Sequence, residues 1–235
     1  GISFDVARGQ ILGLIGPNGA GKTTLFNCLS RLYIPDAGDI LFQDRSILDQ
    51  PRHAIPELGI CRTFQNVALF DRMSVLDNVK VGCHSRTHTG FLSNALRLPS
   101  RWDEEQRIAE RAAEHLAFMD LEPYAHLPAG GVPVPVKKRV ELARALAGAP
   151  KRLLLDEPAA GLNHDEVDIL RGQVRRIRDA QNVTVLLVEH HMSLVMSLSD
   201  HIVVLNFGRK IAEGTPDHIQ SHPDVIEAYL GAGAS

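Results

Sequence analysis

The sequence predicts an α/β domain on a parallel sheet, with a phosphate cradle at the carboxyl edge and a helical subdomain inserted in the chain. Three observations carry this. The apolar run 11–15 leads into Gly16, Pro17, Asn18, Gly19, Ala20, Gly21, Lys22, Thr23 and Thr24, a G-x-x-x-x-G-K-[ST] match placed between a strand and a helix. The apolar run 153–155 ends in Asp156 and Glu157, and the run 183–188 ends in Glu189 and His190. Short apolar runs closing on polar residues are the pattern of buried parallel strands, and open α/β sheets hold their ligands at those ends.

The bulk properties narrow the partners. With 235 residues, 44% of them hydrophobic, the chain can bury a substantial core in one large domain or two lobes. It has 25 basic and 28 acidic side chains, a balance that gives no electrostatic case for nucleic acid. Cys28, Cys61 and Cys83 are odd in number and widely spaced, which speaks against a disulfide framework or a zinc site. No apolar stretch approaches the length of a membrane span, and the first residues have no signal-peptide pattern.

Taken in order, residues 1–6 alternate apolar and polar and read as a strand, and a chain opening this way is expected to be a domain cut from something longer. After the strand 11–15 a helix is expected from Thr23 to near Arg31, then a turn at 35–38, a short strand at 39–42 and a connection from Asp44. Residues 58–64 read as a strand delivering Gln65. From 67 to about 147 the pattern turns helical: Ser74 caps a helix over 75–81, residues 86–90 are loop, and 101–119 form an amphipathic helix. Its apolar side is Ile108, Ala112, Leu116 and Met119, with Trp102 packing at its edge. A helix is expected over 137–146, with Pro135 compatible with a first helical turn. Residues 158–163 form a turn, 166–178 a helix, 202–211 a hairpin and 223–230 a terminal helix.

The chemistry follows from the residue types. Glycines at 16, 19 and 21 let successive N–H groups converge on an anion at a helix N-terminus. Lys22 would reach the β- and γ-phosphates, and Thr23 would offer its hydroxyl to Mg²⁺. Asp156 would hold the same ion and Glu157 would take a proton from an attacking water, while Gln65 is a candidate for a metal or water contact. His190 would sense the γ-phosphate, with His191 facing elsewhere. The plainer readings are an ordinary glycine turn, surface acids at a strand end and a satisfied edge histidine.

Together these residues resemble the nucleotide-binding subunit of an ABC transporter, and the likeness covers nearly the whole chain. Residues 16–23 match its Walker A loop, Gln65 the Q-loop, 153–156 the Walker B strand and Glu157 the catalytic glutamate. Ala160, Gly161, Leu162 and Asn163 match the D-loop, and His190 the switch histidine. The run 156–163, the insert at 89–92 and the ending 226–231 are similar to the branched-chain amino acid, LivG-type branch. The resemblance implies a P-loop NTPase (RecA-like) core over about 1–70 and 148–235, and a helical lobe over about 71–147. It also implies ATP and Mg²⁺ as cofactors, a head-to-tail dimer with a second ABC ATPase subunit, membrane permease subunits, a solute-binding protein acting indirectly, and a place at the cytoplasmic face of the membrane.

The chain departs from the family pattern in two ways. The family's opening strand and its adenine-stacking aromatic fall before Gly1. The signature falls on Val132, Pro133, Val134, Pro135 and Val136, where this branch usually has Leu-Pro-aromatic-Gly-Gln; Pro135 takes the place of a glycine whose N–H contacts the partner's γ-phosphate. A shifted signature at 127–131 would carry its glycines five residues away from the facing ATP. The leading expectation is an ATPase powering import of a small hydrophobic amino acid or related solute. A nucleotide-gated subunit with weak turnover, and an ABC ATPase serving export or a non-transport task, are the other readings.

Overall fold

The computed structural model describes residues 1–63, 68–83 and 100–231. Gln65, the loop at 86–90 and the insert at 89–92 lie outside the described residues, as does the Trp102 side chain. The chain forms two compact units, one of Gly1–Gln65 with Lys151–Ser235 and one of Asn66–Pro150.

The first unit is built on a six-stranded sheet in the order β4-β5-β6-β1-β7-β8. Its strands are β1 (Ile11–Ile15), β4 (Ile60–Arg62), β5 (Arg152–Asp156), β6 (Thr184–Val188), β7 (His201–Asn206) and β8 (Arg209–Gly214). All neighbours pair in parallel except β7 and β8, which form an antiparallel hairpin. Every residue of β1 and β6 is buried, as expected of strands covered on both faces. One side packs Leu12, Leu14, Phe26, Leu154, Leu186 and Val188 into a single apolar cluster; the other gathers Ile15, Val195, Ile202, Val204 and Ile219. The helices of this unit are α1 (Lys22–Leu29), α2 (Ile55–Leu58), α6 (His164–Gln181), α7 (Met192–Leu198), α8 (Pro216–Gln220) and α9 (Pro223–Gly231).

Three expectations are corrected here. Residues 1–6 form no strand: Ile2, Phe4 and Val6 lean on the apolar cluster as their alternation predicts, but no ladder forms with them among the described residues. Alternation specifies a buried face; a strand also needs a neighbour with free N–H and C=O groups. The connection expected after Asp44 instead holds the short strand β3 (Arg45–Ser46), paired with β2 (Leu41–Phe42). The strand expected from Leu58 starts later, because Leu58 ends α2 and Gly59, at φ 94°, caps it in the left-handed region.

In the second unit α3 (Val75–Cys83), α4 (Ser100–Phe118) and α5 (Val134–Ala147) pack on one another. Ser74 caps α3 as expected: its Oγ accepts from the Asp77 N–H at 3.0 Å. Ile108, Ala112, Leu116 and Met119 are buried, so the periodicity of α4 marked its inner face correctly. The helix α5 starts at Val134, earlier than expected, with Pro133 as N-cap and Pro135 in the first turn. Pro at these positions needs no N–H partner, so the prolines open the helix and do not delay it.

Gly82 in α3 lies against α5 so closely that a Cβ would sit 2.0 Å from the Arg144 carbonyl oxygen. Gly82→Ala gains about 1 kcal/mol of helix propensity but overpacks this contact at about 1–3 kcal/mol. A net loss of stability is expected in a denaturant melt; a gain would mean the two helices separate freely.

Candidate functional site

Strand order sets the site. β6 lies between β1 and β5, and in register Val188 faces Leu14 on one side and Asp156 on the other. The loops leaving β1, β5 and β6 therefore open at the same edge, with the glycine loop, the two carboxylates and His190 side by side.

The loop from Gly16 to Thr23 has the backbone its sequence requires, with φ of 152°, 77° and 97° at Gly16, Gly19 and Gly21. At Gly16 space also matters: a Cβ would lie 2.1 Å from the Leu205 carbonyl oxygen. Gly21 caps α1, so the loop's N–H groups gather at the helix N-terminus, where an anion is stabilised. Lys22 is 5% exposed and donates from Nζ to the carbonyl oxygens of Gly16 (2.7 Å) and Pro17 (2.9 Å). Burial pulls its ammonium below its ordinary pKa, and the Glu157 carboxylate opposes that shift. The lysine thus braces the loop from within, and phosphate oxygens would replace the two carbonyls as acceptors. Thr23 and Thr24 are exposed on the first turn of α1. Tyr229 of α9, half-buried, is hydrogen-bonded to the Gly16 backbone; burial raises its phenol and that bond lowers it by less.

Asp156 is 4% exposed and holds a partner with no signal in the sequence. Arg62, the last residue of β4, donates from Nη2 to Asp156 Oδ2 at 2.6 Å. Its Nη1 reaches Asn27 Oδ1 (2.8 Å) and Ser30 Oγ (3.1 Å), and its guanidinium carbon lies 5.5 Å from the Phe26 ring centroid. The donors expected for a metal, the Thr23 hydroxyl and the Asp156 carboxylate, are both hard oxygens. Among the described residues no group of three or more His, Cys, Asp or Glu could hold an ion. That set fits a hard divalent ion completed by phosphate and water, and does not fit an all-protein cage.

Glu157 follows with φ 47°, a left-handed conformation rarely taken by a residue with a Cβ. Its N–H donates to the Val188 carbonyl at 2.8 Å, which ties it to the end of β6. Its Oε1 lies 2.9 Å from His190 Nε2, so the carboxylate and the imidazole predicted from separate strands do meet. His191 turns away, toward Ser193 Oγ at 3.2 Å and the edge of the His164 ring.

Of the residues matched to the D-loop, Ala160 donates to the Glu157 carbonyl at 3.2 Å and Leu162 to Ala159 at 3.1 Å. Asn163 caps α6 in a reciprocal capping box with Glu166. The Asn-x-x-Glu spacing is a sequence mark of a helix start, and it places that start at 163, inside the turn expected over 158–163. In the second unit, Val132 and Val136 are buried and Val134 is 50% exposed on the opening turn of α5.

An edge of this kind is suited to gripping a triphosphate and cutting its terminal anhydride, which defines a P-loop ATPase; comparison with known proteins gives its branch. The ABC transporter family model matches residues 1–160, and the chain belongs to that family. A second model, described as branched-chain amino acid ATP-binding cassette transporter, matches residues 209–235. The chain is 45% identical over 98% of its length to the high-affinity branched-chain amino acid transport ATP-binding protein BraF of Pseudomonas aeruginosa, covering 91% of it. It is 42% identical to LivG of Escherichia coli, covering 98% of this chain and 90% of that one. Among solved structures, the ADP conformation of MJ1267, an ATP-binding cassette of an ABC transporter, aligns with a TM-score of 0.83 at 30% identity, over 97% of this chain and 90% of that one. The protein is an ABC-type ATPase subunit that binds ATP.

The Arg62–Asp156 pair has side-chain exposures of 9% and 5%, so removing one member strands a buried charge. Arg62→Met is expected to lower stability by about 3–5 kcal/mol in a denaturant melt, and Asp156→Asn added to it should recover part of the loss. Equal stability of wild type and Arg62→Met would mean the pair is solvated.

Proposed function

We propose that this chain hydrolyses Mg-ATP at the described edge and drives import of branched-chain amino acids or a closely related small solute. The observation that carries the chemistry is the Glu157–His190 contact of 2.9 Å beside the Lys22-braced loop. Lys22 and the N–H groups of Gly16 and residues 18–23 bind the phosphates, and Glu157 accepts the proton of the attacking water. His190 orients that carboxylate and stabilises charge developing on the γ-phosphoryl oxygens. Thr23, Asp156 and Gln65 would hold Mg²⁺, which when bound neutralises negative charge on the β- and γ-phosphoryl oxygens. The import assignment is supported by the identities to BraF and LivG, named as branched-chain amino acid transport proteins, and by the C-terminal match over residues 209–235. No helix among the described residues is long and apolar enough to cross a membrane. By its likeness to those transport subunits, the chain would work at the cytoplasmic membrane face against permease subunits, fed by a solute-binding protein, in a head-to-tail dimer with a second ATPase subunit.

A second reading rests on Pro135. In the proposed dimer the signature turn faces the partner's nucleotide, and at its second helical position this chain has no N–H to give. A lost charge-assisted hydrogen bond of this kind costs about 1.5–3 kcal/mol, or roughly ten- to a hundred-fold in the step it supports. A nucleotide-gated subunit with slow turnover, paired with a partner carrying an intact signature, would have this feature.

Two measurements separate the readings. Glu157→Gln should cut steady-state phosphate release by about 10²–10⁴-fold with ATP still bound; unchanged release would remove Glu157 as the base. Pro135→Gly should raise turnover about ten-fold or more if the missing amide limits the reaction, and no rise would show that the signature turn is not limiting. ATPase assayed in the native complex against candidate amino acids tests the transported solute.

A further inference from the structure

Glu189 is 4% exposed, and its carboxylate is directed into the fold. Its Oε1 accepts from the Ala159 N–H at 2.6 Å, and its Oε2 from the N–H groups of His190 (3.0 Å) and His191 (3.1 Å). One side chain therefore joins the loop leaving β5, which carries Glu157, to the loop leaving β6, which carries His190. Glu157 needs such a restraint. A left-handed residue with a Cβ persists only where its surroundings over-determine it: its N–H is bonded to Val188 and its carbonyl to the Ala160 N–H, and the Ala159 bond to Glu189 adds a tie across to the loop leaving β6. Beyond Glu157, Pro158 has no N–H, so the Ala159 amide is the first that can anchor the outgoing chain. Hydrogen bonds from an amide to a carboxylate are about twice as strong as neutral ones, which suits a joint that must hold strain.

We propose that Glu189 is a positioning residue for hydrolysis: by clamping the amides of Ala159, His190 and His191 it fixes the Glu157 carboxylate and the His190 imidazole at contact distance. It touches no reacting atom and acts through that pair. The inference rests on the reading of Glu157 as proton acceptor and His190 as its partner.

Glu189→Gln retains the volume but turns an NH₂ group toward at least one of the three donors. The purified full chain is assayed for ATP hydrolysis and, separately, for ATP affinity by equilibrium binding. Turnover is expected to fall about ten-fold or more, with the ATP dissociation constant within about two-fold, since residues 16–23 are untouched. In a His190→Ala background the same substitution should cost less than about two-fold, because effects transmitted through one contact are not additive. The same fold loss in both backgrounds, or no loss in the wild-type background, would overturn the proposal. If the Gln variant does not fold, Glu189→Asp takes its place: it retains the charge next to the His190 and His191 amides but falls short of Ala159, and the same kinetic pattern is expected of it. If Glu157→Gln retains turnover, the assignment of the base fails; if Glu157→Gln is inactive and Glu189→Gln is fully active, only the role of Glu189 fails.

Discussion

The site depends on the parallel register of three strands. Because Leu14, Val188 and Asp156 stand level across β1, β6 and β5, the chain leaves the sheet three times within one short edge. The apolar residues behind that edge fix the register, since slipping a strand by one residue would send every side chain to the opposite face, into packing shaped for another. With β1 and β6 buried on both faces, such a slip would also strand ladder groups away from water. Residues as far apart in sequence as Gly16, Glu157 and His190 are brought together by packing alone.

Behind that edge the fold buries charge repeatedly, and each charge has a partner. Lys22 is met by two loop carbonyls, Asp156 by Arg62, and Glu189 by three amides. Each arrangement would be poor value as plain stabilisation, because desolvation offsets most of the attraction. Their common effect is geometric. Lys22 holds the glycine loop in its curled form, Arg62 aims the Asp156 carboxylate, and Glu189 holds two loops together. A site organised in this way before ligand arrives has less reorganisation to complete during the reaction.

How far the sequence discloses this differs by residue. The glycine loop and the acids ending β5 were legible because their chemistry requires fixed spacings next to an apolar run. The helix faces at Ile108, Ala112, Leu116 and Met119 were legible because burial has a period. Arg62 was not, since a basic residue near a strand end has no local pattern, and its value comes from Asp156, ninety-four positions away. Glu189 stood in view beside His190, but its partners are backbone amides, which sequence does not distinguish. Residues 1–6 depart from their pattern for a related reason: alternation reports a face, whereas strand formation depends on a neighbour that only the fold supplies.

Pro135 is best judged by the turn it occupies. Counting from the N-cap Pro133, the opening of α5 has Val134, Pro135 and Val136 as its first three helical positions. An ordinary helix would present an N–H at each, beside the partial positive charge of the aligned peptide dipoles. Here the middle donor is missing while those of Val134 and Val136 stay in place, so the dipole and two amides remain for an anion. The burial of Val132 and Val136 in the helical unit keeps the turn from unwinding to compensate. In the proposed role of this turn, Pro135 would therefore weaken an anion site without abolishing it, and what it would take away is directional: the donor that would tell a correctly placed phosphoryl group from one nearby.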